Sequence, residues 1–289
     1  MAGAGIKEIK TRIGSVQSTR QVTKAMELVA SSKMRKAKDR ALASRPYFGT
    51  MYDTVKDIAT NTRGVRNVFL KQREVKNRCY IVVAGDRGLA GGYNSNIMKL
   101  VLGHMGNNKE KIMPIGKKAK EFFAKRGYDI LKSTDSVEKC GYDETLAFAE
   151  EAMNLYKKGE IDEVYIAYTE FVSPLTQDAK LVKILPIAFD KEEKIENKEQ
   201  AAKKCRVQYL PSAEAVLGYI IPKYVSGTIY GGVIESFASE QAARRTAMSS
   251  ASDNADAMLA DLELSYNRAR QSAVTQEITE IVGGVEALK

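Results

Sequence analysis

Val233–Val282, VIESFASEQAARRTAMSSASDNADAMLADLELSYNRARQSAVTQEITEIV, runs fifty residues without a glycine or a proline. Small or apolar residues recur in it three and four positions apart. Met248, Ser252, Ala255, Leu259, Leu262, Tyr266, Ala269 and Ala273 form one stripe, and Ile278, Ile281, Val285 and Leu288 carry it to the end of the chain. At the rise of an α-helix this predicts a helix about 75 Å long. Helices of compact domains average about a dozen residues, so no compact domain buries this one. A helix of that length is a rod, and rods transmit force, set spacing or dimerise.

The beginning of the chain supplies a partner. Ile6, Ile9, Ile13 and Val16 keep a 3,4,3 spacing, the stripe slips, and it resumes through Val22, Ala25, Met26, Val29, Met34, Ala37 and Ala41. Arg45-Pro46 then predicts a bend or an end, because proline lacks the N–H that a helix interior needs. Charge supports the pairing. Residues 1–45 hold eleven Lys/Arg against three Asp/Glu, and residues 212–289 hold six against ten. Two striped segments of opposite charge within one chain predict an antiparallel coiled coil. Its many Ala, Ser and Thr residues predict a close approach of the helices.

The arms are unequal, about 50 residues against about 70 by their patterns. The second therefore outruns the first, and the overhang expected is Ala273 to Lys289. A lone helix showing Val274, Ile278, Ile281 and Val282 predicts a socket in another protein.

Between the arms the texture changes. Cys79–Ala84 is a buried strand, Gly85-Asp86-Arg87-Gly88 a turn, and a helix begins near Gly92-Tyr93-Asn94. Lys111–Ile115, Asp129–Leu131, Glu163–Thr169 and Leu181–Ile187 are further strands; Lys117–Lys125 and Tyr142–Lys158 are helices. This alternation predicts a small α/β layer with a mostly parallel, Rossmann-like sheet. Residues 189–204, rich in lysine and glutamate, are expected to be an exposed loop. The organisation expected is a discontinuous two-helix shaft, residues 1–60 and 210–289, with an α/β domain at 75–205.

The net charge is +9, and the first 45 residues carry +8 of it, which points to an acidic partner for that arm. Cys79, Cys140 and Cys205 are scattered and odd in number, against a disulfide framework or a zinc site. No 18-residue apolar run and no signal peptide is present, so any membrane association is indirect. The glycines of Gly85–Gly92 match neither GxGxxG nor GxxxxGK[ST]; they read as shaping a tight strand-to-helix turn fixed by Asp86 and Arg87. His104 is the only histidine, which excludes multi-histidine metal sites and triads built on a second one. Glu150-Glu151 and Glu192-Glu193 diverge on a helix and read as solvated faces. No catalytic, cofactor or metal constellation assembles. The basic run Lys33-Met34-Arg35-Lys36-Ala37-Lys38 suits nucleic-acid phosphates or an acidic protein surface. No aromatic residue precedes Pro46, so base stacking has no support there.

Several longer motifs carry a resemblance. They are Ile13–Thr19 running into Thr23–Ala30, then Ser32-Lys33-Met34, Asp86–Leu89 ahead of Gly91–Asn94, Glu235–Arg244, and Ala269–Gly284. Together they resemble the gamma subunits of F-type ATP synthases from end to end. The resemblance implies a non-catalytic central stalk that binds no cofactor and turns inside a ring of alpha and beta subunits. It implies a base seated on the membrane rotor of c subunits with the epsilon subunit, at the cytoplasmic side of a cell membrane. It carries no nucleic-acid partner and no transmembrane segment. Ion sites belong to other subunits, so protons and sodium ions are equally compatible. The start at Met1 without a presequence suggests a bacterial chain, and no cysteine-bearing regulatory insert of the chloroplast type is evident. Matched position by position, Lys24, Met26, Lys33, Arg35, Lys36, Arg270, Gln271 and Thr275 are implied to face the beta subunits. Ile278, Ile281, Val282, Val285 and Leu288 are implied to form the apolar axle tip. Two other classes compete: a coiled-coil arm that binds nucleic acid through an α/β base, and an α/β enzyme with a helical dimerisation rod.

Overall fold

A computed structural model describes residues 2–61, 67–106, 110–188 and 209–287. Thr62-Arg63-Gly64, Asn107-Asn108, the 189–204 segment, Cys205 and Leu288 lie outside the described residues, as does the Val285 side chain. The elements in order are α1 (Ala2–Asn61), β1 (Arg78–Val83), α2 (Tyr93–His104), β2 (Lys111–Ile115), α3 (Lys117–Ala124), β3 (Asp129–Ile130), α4 (Tyr142–Lys158), β4 (Glu163–Phe171), β5 (Gln177–Leu185) and α5 (Ala213–Ala287). The chain divides into two compact units, Met1–Ser32 with Arg244–Lys289 and Lys33–Ala243.

The first unit is an antiparallel helix pair. Arg20 forms an ion pair with Asp256, and the Thr23 and Ser252 hydroxyls meet at 2.8 Å. Both pairs sum to about 276 in residue number, which sets Ala2 level with about residue 274 and leaves α5 unpaired beyond it. The α5 stripe faces inward from Met248 to Ala273: Met248, Ser252 and Ala255 are buried, and Leu259, Leu262, Tyr266, Ala269 and Ala273 are half-buried, while Ile278 and Ile281 beyond it are exposed.

The α1 stripe differs from the sequence reading. Ile6, Ile9, Ile13 and Val16 are half-buried, but the inward row then continues through Thr23, Glu27 and Ala30. Val22 and Val29 are 59% and 56% exposed, and Ala25 is exposed too. No slip occurs. The 3,4 spacing is unbroken, and Arg20, Thr23 and Glu27 occupy the positions where apolar residues were sought, the first two with partners across the seam.

The second unit is layered. Its sheet has the order β3-β2-β1-β4-β5; the first three pairings are parallel and β5 lies antiparallel to β4. Tyr80, Val82, Ile97, Val101, Ile112 and Phe123 fill the face covered by α2 and α3. The other face packs Ile81, Val83, Ile115 and Ile166 against α4, the last turns of α1 and the first third of α5. β5 begins at Gln177, four residues before the predicted Leu181, because the hairpin keeps pairing as far as Phe171 with Gln177.

Pro46 neither ends nor interrupts α1, which continues to Asn61. A proline inside a helix costs about 3 kcal/mol. Packing on its far side offsets this. Phe48 lies against Gly227 and Gly231, Tyr52 faces Tyr224 with centroids 6.0 Å apart, and Val55 and Ile58 are fully buried. The same logic carries α5 from Ala213 across Pro222 and four glycines, Gly218, Gly227, Gly231 and Gly232. A Cβ at Gly232 would meet Ile166 Cδ1 at 2.7 Å, so the bare backbone is what lets α5 reach the sheet.

Two glycines of α5 give a direct test. Gly218 has nothing within 4 Å of an added Cβ, and Gly232 has the sheet. Gly218→Ala is expected to stabilise the chain by about 0.5–1 kcal/mol through helix propensity. Gly232→Ala is expected to cost about 1–3 kcal/mol through overpacking. Denaturant melts followed by circular dichroism measure both; equal signs would contradict the close approach.

Candidate functional site

The residues implied as contacts distribute over both units. In the first, Lys24 donates to Glu27 Oε2 at 3.0 Å on its own helix, with most of its side chain in solvent. Met26 is half-buried beside it, while Arg270, Gln271 and Thr275 are exposed. The Thr275 hydroxyl donates to the Gln271 carbonyl at 2.9 Å. By the register of the pair, Lys24 stands level with about residue 252. The Lys24–Met26 band and the Arg270–Thr275 band therefore lie about 30 Å apart along the helices, at about 1.5 Å per residue. They are two patches. In the second unit, Lys33 is already engaged, its Nζ 2.7 Å from Glu138 Oε2, while Arg35 and Lys36 are exposed.

Past the level of Ala2, α5 presents Ile278, Ile281 and Val282 at 56%, 67% and 56% exposure, with Val274 also open. The helix itself continues to Ala287. Exposed aliphatics on one unpaired segment are the strongest sign of a partner surface in this unit. Sequence reading missed the exposed Val22, Leu28 and Val29 of α1. Extending the 3,4 spacing through Arg20 and Thr23 would have placed them outside the seam.

The glycine-rich turn is braced from within. Asp86 accepts from the Val137 N–H at 2.8 Å and from the Ser136 hydroxyl at 3.0 Å. Asn94 Oδ1 accepts from the Gly85 N–H at 2.8 Å. Leu89 and Gly91 have positive φ, which the turn requires. A Cβ at Gly85 would lie 2.9 Å from the buried Glu240 carboxylate. Two carboxylates thus border the place where a phosphate would sit, and Coulomb repulsion opposes one there. Arg87 is exposed and takes no part in fixing the turn through its side chain among the described contacts; its carbonyl accepts from Asn94.

His104 packs edge-on to Tyr80 and Tyr165, with Nδ1 2.9 Å from the Tyr80 hydroxyl. Near it, Arg78 binds Glu110 and Glu163, and Glu163 also takes Lys183 and the Tyr165 hydroxyl. Burial opposes the Glu163 charge, but the bonds from Tyr165, Arg78 and Lys183 outweigh it and hold its pKa below the usual value. A carboxylate so tied braces strand ends and is poorly placed for proton transfer. Among the described residues no group of His, Cys, Asp and Glu is placed to hold a metal, and no helix is long and apolar enough to cross a membrane.

Burial pushes the Cys79 and Cys140 thiols up to about 12. At pH 8 that leaves about one part in ten thousand as thiolate. Iodoacetamide at pH 8 is therefore expected to leave both unmodified in the folded chain and to label both in 6 M guanidinium, by peptide mass spectrometry. Rapid labelling of either in the native chain would contradict the packing.

The family model described as ATP synthase matches residues 5–288. The ATP synthase gamma chain of Alkaliphilus metalliredigens is 46% identical over 291 residues, covering 99% of this chain and all of that one. The sodium-ion-specific ATP synthase gamma chain of Acetobacterium woodii is 44% identical over 297 residues, 98% of each. Among solved structures, the rotor of the Euglena gracilis mitochondrial ATP synthase matches with a TM-score of 0.66 at 18% identity, covering 94% of this chain and 99% of that chain. A second cryo-EM structure of that enzyme, with its F1 and c-ring, matches with a TM-score of 0.67 at 19% identity, covering 99% and 95%. At that identity the structural matches establish the fold. The nucleic-acid arm and the enzyme with a dimerisation rod find no support in any of these.

Proposed function

The chain belongs to the ATP synthase gamma-chain family, and from that premise we propose that it acts as the central rotary shaft of an F-type ATP synthase and catalyses nothing itself. Residues 1–60 and 210–289 serve as the antiparallel shaft and residues 75–205 as its base. The partners are the alpha and beta subunits, the epsilon subunit and the ring of c subunits. The assembly is peripheral to the cell membrane on its cytoplasmic side, and ion flow there is coupled to ATP synthesis or hydrolysis on the beta subunits.

One observation carries this reading: α5 outruns α1 and exposes Val274, Ile278, Ile281 and Val282. An apolar segment in an apolar bearing is held by non-directional forces, so it turns without a deep angular minimum. Lys24, Met26, Lys33, Arg35 and Lys36, with Arg270, Gln271 and Thr275, supply the polar contacts to the beta subunits. The exposed Arg35 and Lys36 suit an acidic partner surface, whereas Lys33 must first leave Glu138 to do so.

Two experiments check this. Purification through a tag on this chain from its native host is expected to bring down alpha and beta subunits in threefold excess over it; recovery of the chain alone, or with nucleic acid, would overturn the reading. Replacing Ile278 and Val282 together by aspartate is expected to weaken assembly with the alpha–beta ring by roughly 3 kcal/mol, the worth of burying two aliphatic side chains. The far-ultraviolet spectrum should stay that of the parent. Unchanged assembly in a reconstitution titration would contradict the bearing.

A further inference from the structure

The second unit contains a cleft, bordered by Lys33 and Lys36, to which the rotary reading assigns no ligand. It has a volume of about 450 Å³ and lies between α1, the loop leading into α4, and α5. Its walls carry the apolar groups of Ala37, Val137, Val233, Ile234 and Phe237. Lys36, Arg40 and Lys139 line the same cleft, and all three are exposed. The carboxylate among its lining residues, Glu138, is engaged by Lys33 at 2.7 Å. Lys36, Arg40 and Lys139 form no ion pair among the described residues. The result is an apolar recess beside three uncompensated cations.

We propose that this cleft binds a small organic anion: a free molecule with an apolar body seated on Tyr230 and Phe237 and a carboxylate or phosphate held by Arg40 and Lys139. The volume falls in the range of small-molecule sites, roughly 300–1,000 Å³. The apolar walls favour a hydrocarbon or ring body, and a charged head in a half-desolvated mouth gains a charge-assisted hydrogen bond from the guanidinium. The neighbouring Cys140 thiol stays protonated, its pKa raised by burial, so it sets no negative charge against the ligand. The occupant touches three segments far apart in sequence, so binding stabilises their packing by mass action. The proposal does not rest on the rotary reading and stands or falls on binding alone.

The test uses the full chain and 8-anilinonaphthalene-1-sulfonate, a fluorescent organic anion of suitable size. A saturable one-to-one rise in fluorescence is expected, reversed by decanoate and not by decanol at equal concentration. Arg40→Glu with Lys139→Glu, both on exposed residues, should weaken binding by roughly tenfold or more through reversed charge, and Arg40→Gln with Lys139→Gln should do so to a smaller degree. Decanoate should also raise the melting midpoint of the parent and not of the Glu double variant. Absence of saturable binding, equal displacement by decanol, or unchanged affinity in a double variant whose circular dichroism matches the parent would each overturn the proposal.

Discussion

The meeting of Thr23 with Ser252 is the constraint on which the helix pair depends. Stripes of alanine, isoleucine and leucine bury well in several registers, because a shift by one heptad replaces one small apolar contact by another. Hydroxyls are less forgiving. Thr23 and Ser252 lie 2.8 Å apart, Thr23 Oγ1 is also 3.0 Å from the Arg20 carbonyl, and Ser252 Oγ is 2.9 Å from that of Met248. Two hydroxyl hydrogens serve three contacts, so the bond across the seam is made by one donor turning away from its own helix. A sliding step that removes this contact, and the Arg20–Asp256 pair one turn away, gains nothing in exchange. The register so fixed decides which residues of α5 have no partner on α1.

In the second unit α5 is held differently. Beside the buried Leu217, Ile221, Val225, Ile229 and Val233, it carries glycine and serine where other elements come closest. Gly227 and Gly231 receive the Phe48 ring. Ser226 meets the Tyr142 hydroxyl at 3.0 Å, Ser236 meets the Tyr93 hydroxyl at 2.7 Å, and Ser239 donates to the Thr169 carbonyl at 3.0 Å. All three serines are fully buried. Small residues bring the backbones together, and the hydroxyls then satisfy polar groups that this closeness would strand.

These two modes explain what was legible in the sequence. The α5 stripe from Met248 to Ala273 was readable because its residues are small or apolar at regular spacing, and burial follows them one by one. The strand-helix alternation of the middle was readable for the same reason, with Cys79 to Val83 fully buried as the run of apolar residues implies. The middle of the α1 seam was not, because Arg20, Thr23 and Glu27 are polar and the partners of the first two lie more than 220 residues away. The passage of α1 through Pro46 was hidden too, since local propensity argues for a break and only tertiary packing overrides it. Of the contact residues, spacing showed the apolar overhang and charge marked Lys33, Arg35 and Lys36; the other polar ones came from resemblance alone, and the engagement of Lys33 by Glu138 is a fact of three dimensions.

The signature residues of the glycine turn and of Glu235–Ala242 are two halves of one joint. Tyr93 touches Ser236, Ser236 accepts from the Thr169 N–H at 3.3 Å, and the Glu240 carboxylate fills the space that Gly85 leaves open. A subunit that passes torque must resist rotation of its helix against the layer that carries it. Apolar contacts resist it weakly, because they are nearly indifferent to angle; hydrogen bonds fall off steeply once donor and acceptor lose alignment. Directional bonds where α5 meets the sheet, and exposed aliphatic side chains on its unpaired end, are the division that such a part needs. The glycines that look like a phosphate cradle thus belong to a mechanical coupling, and the carboxylates beside them are what that coupling requires and what a nucleotide site would exclude.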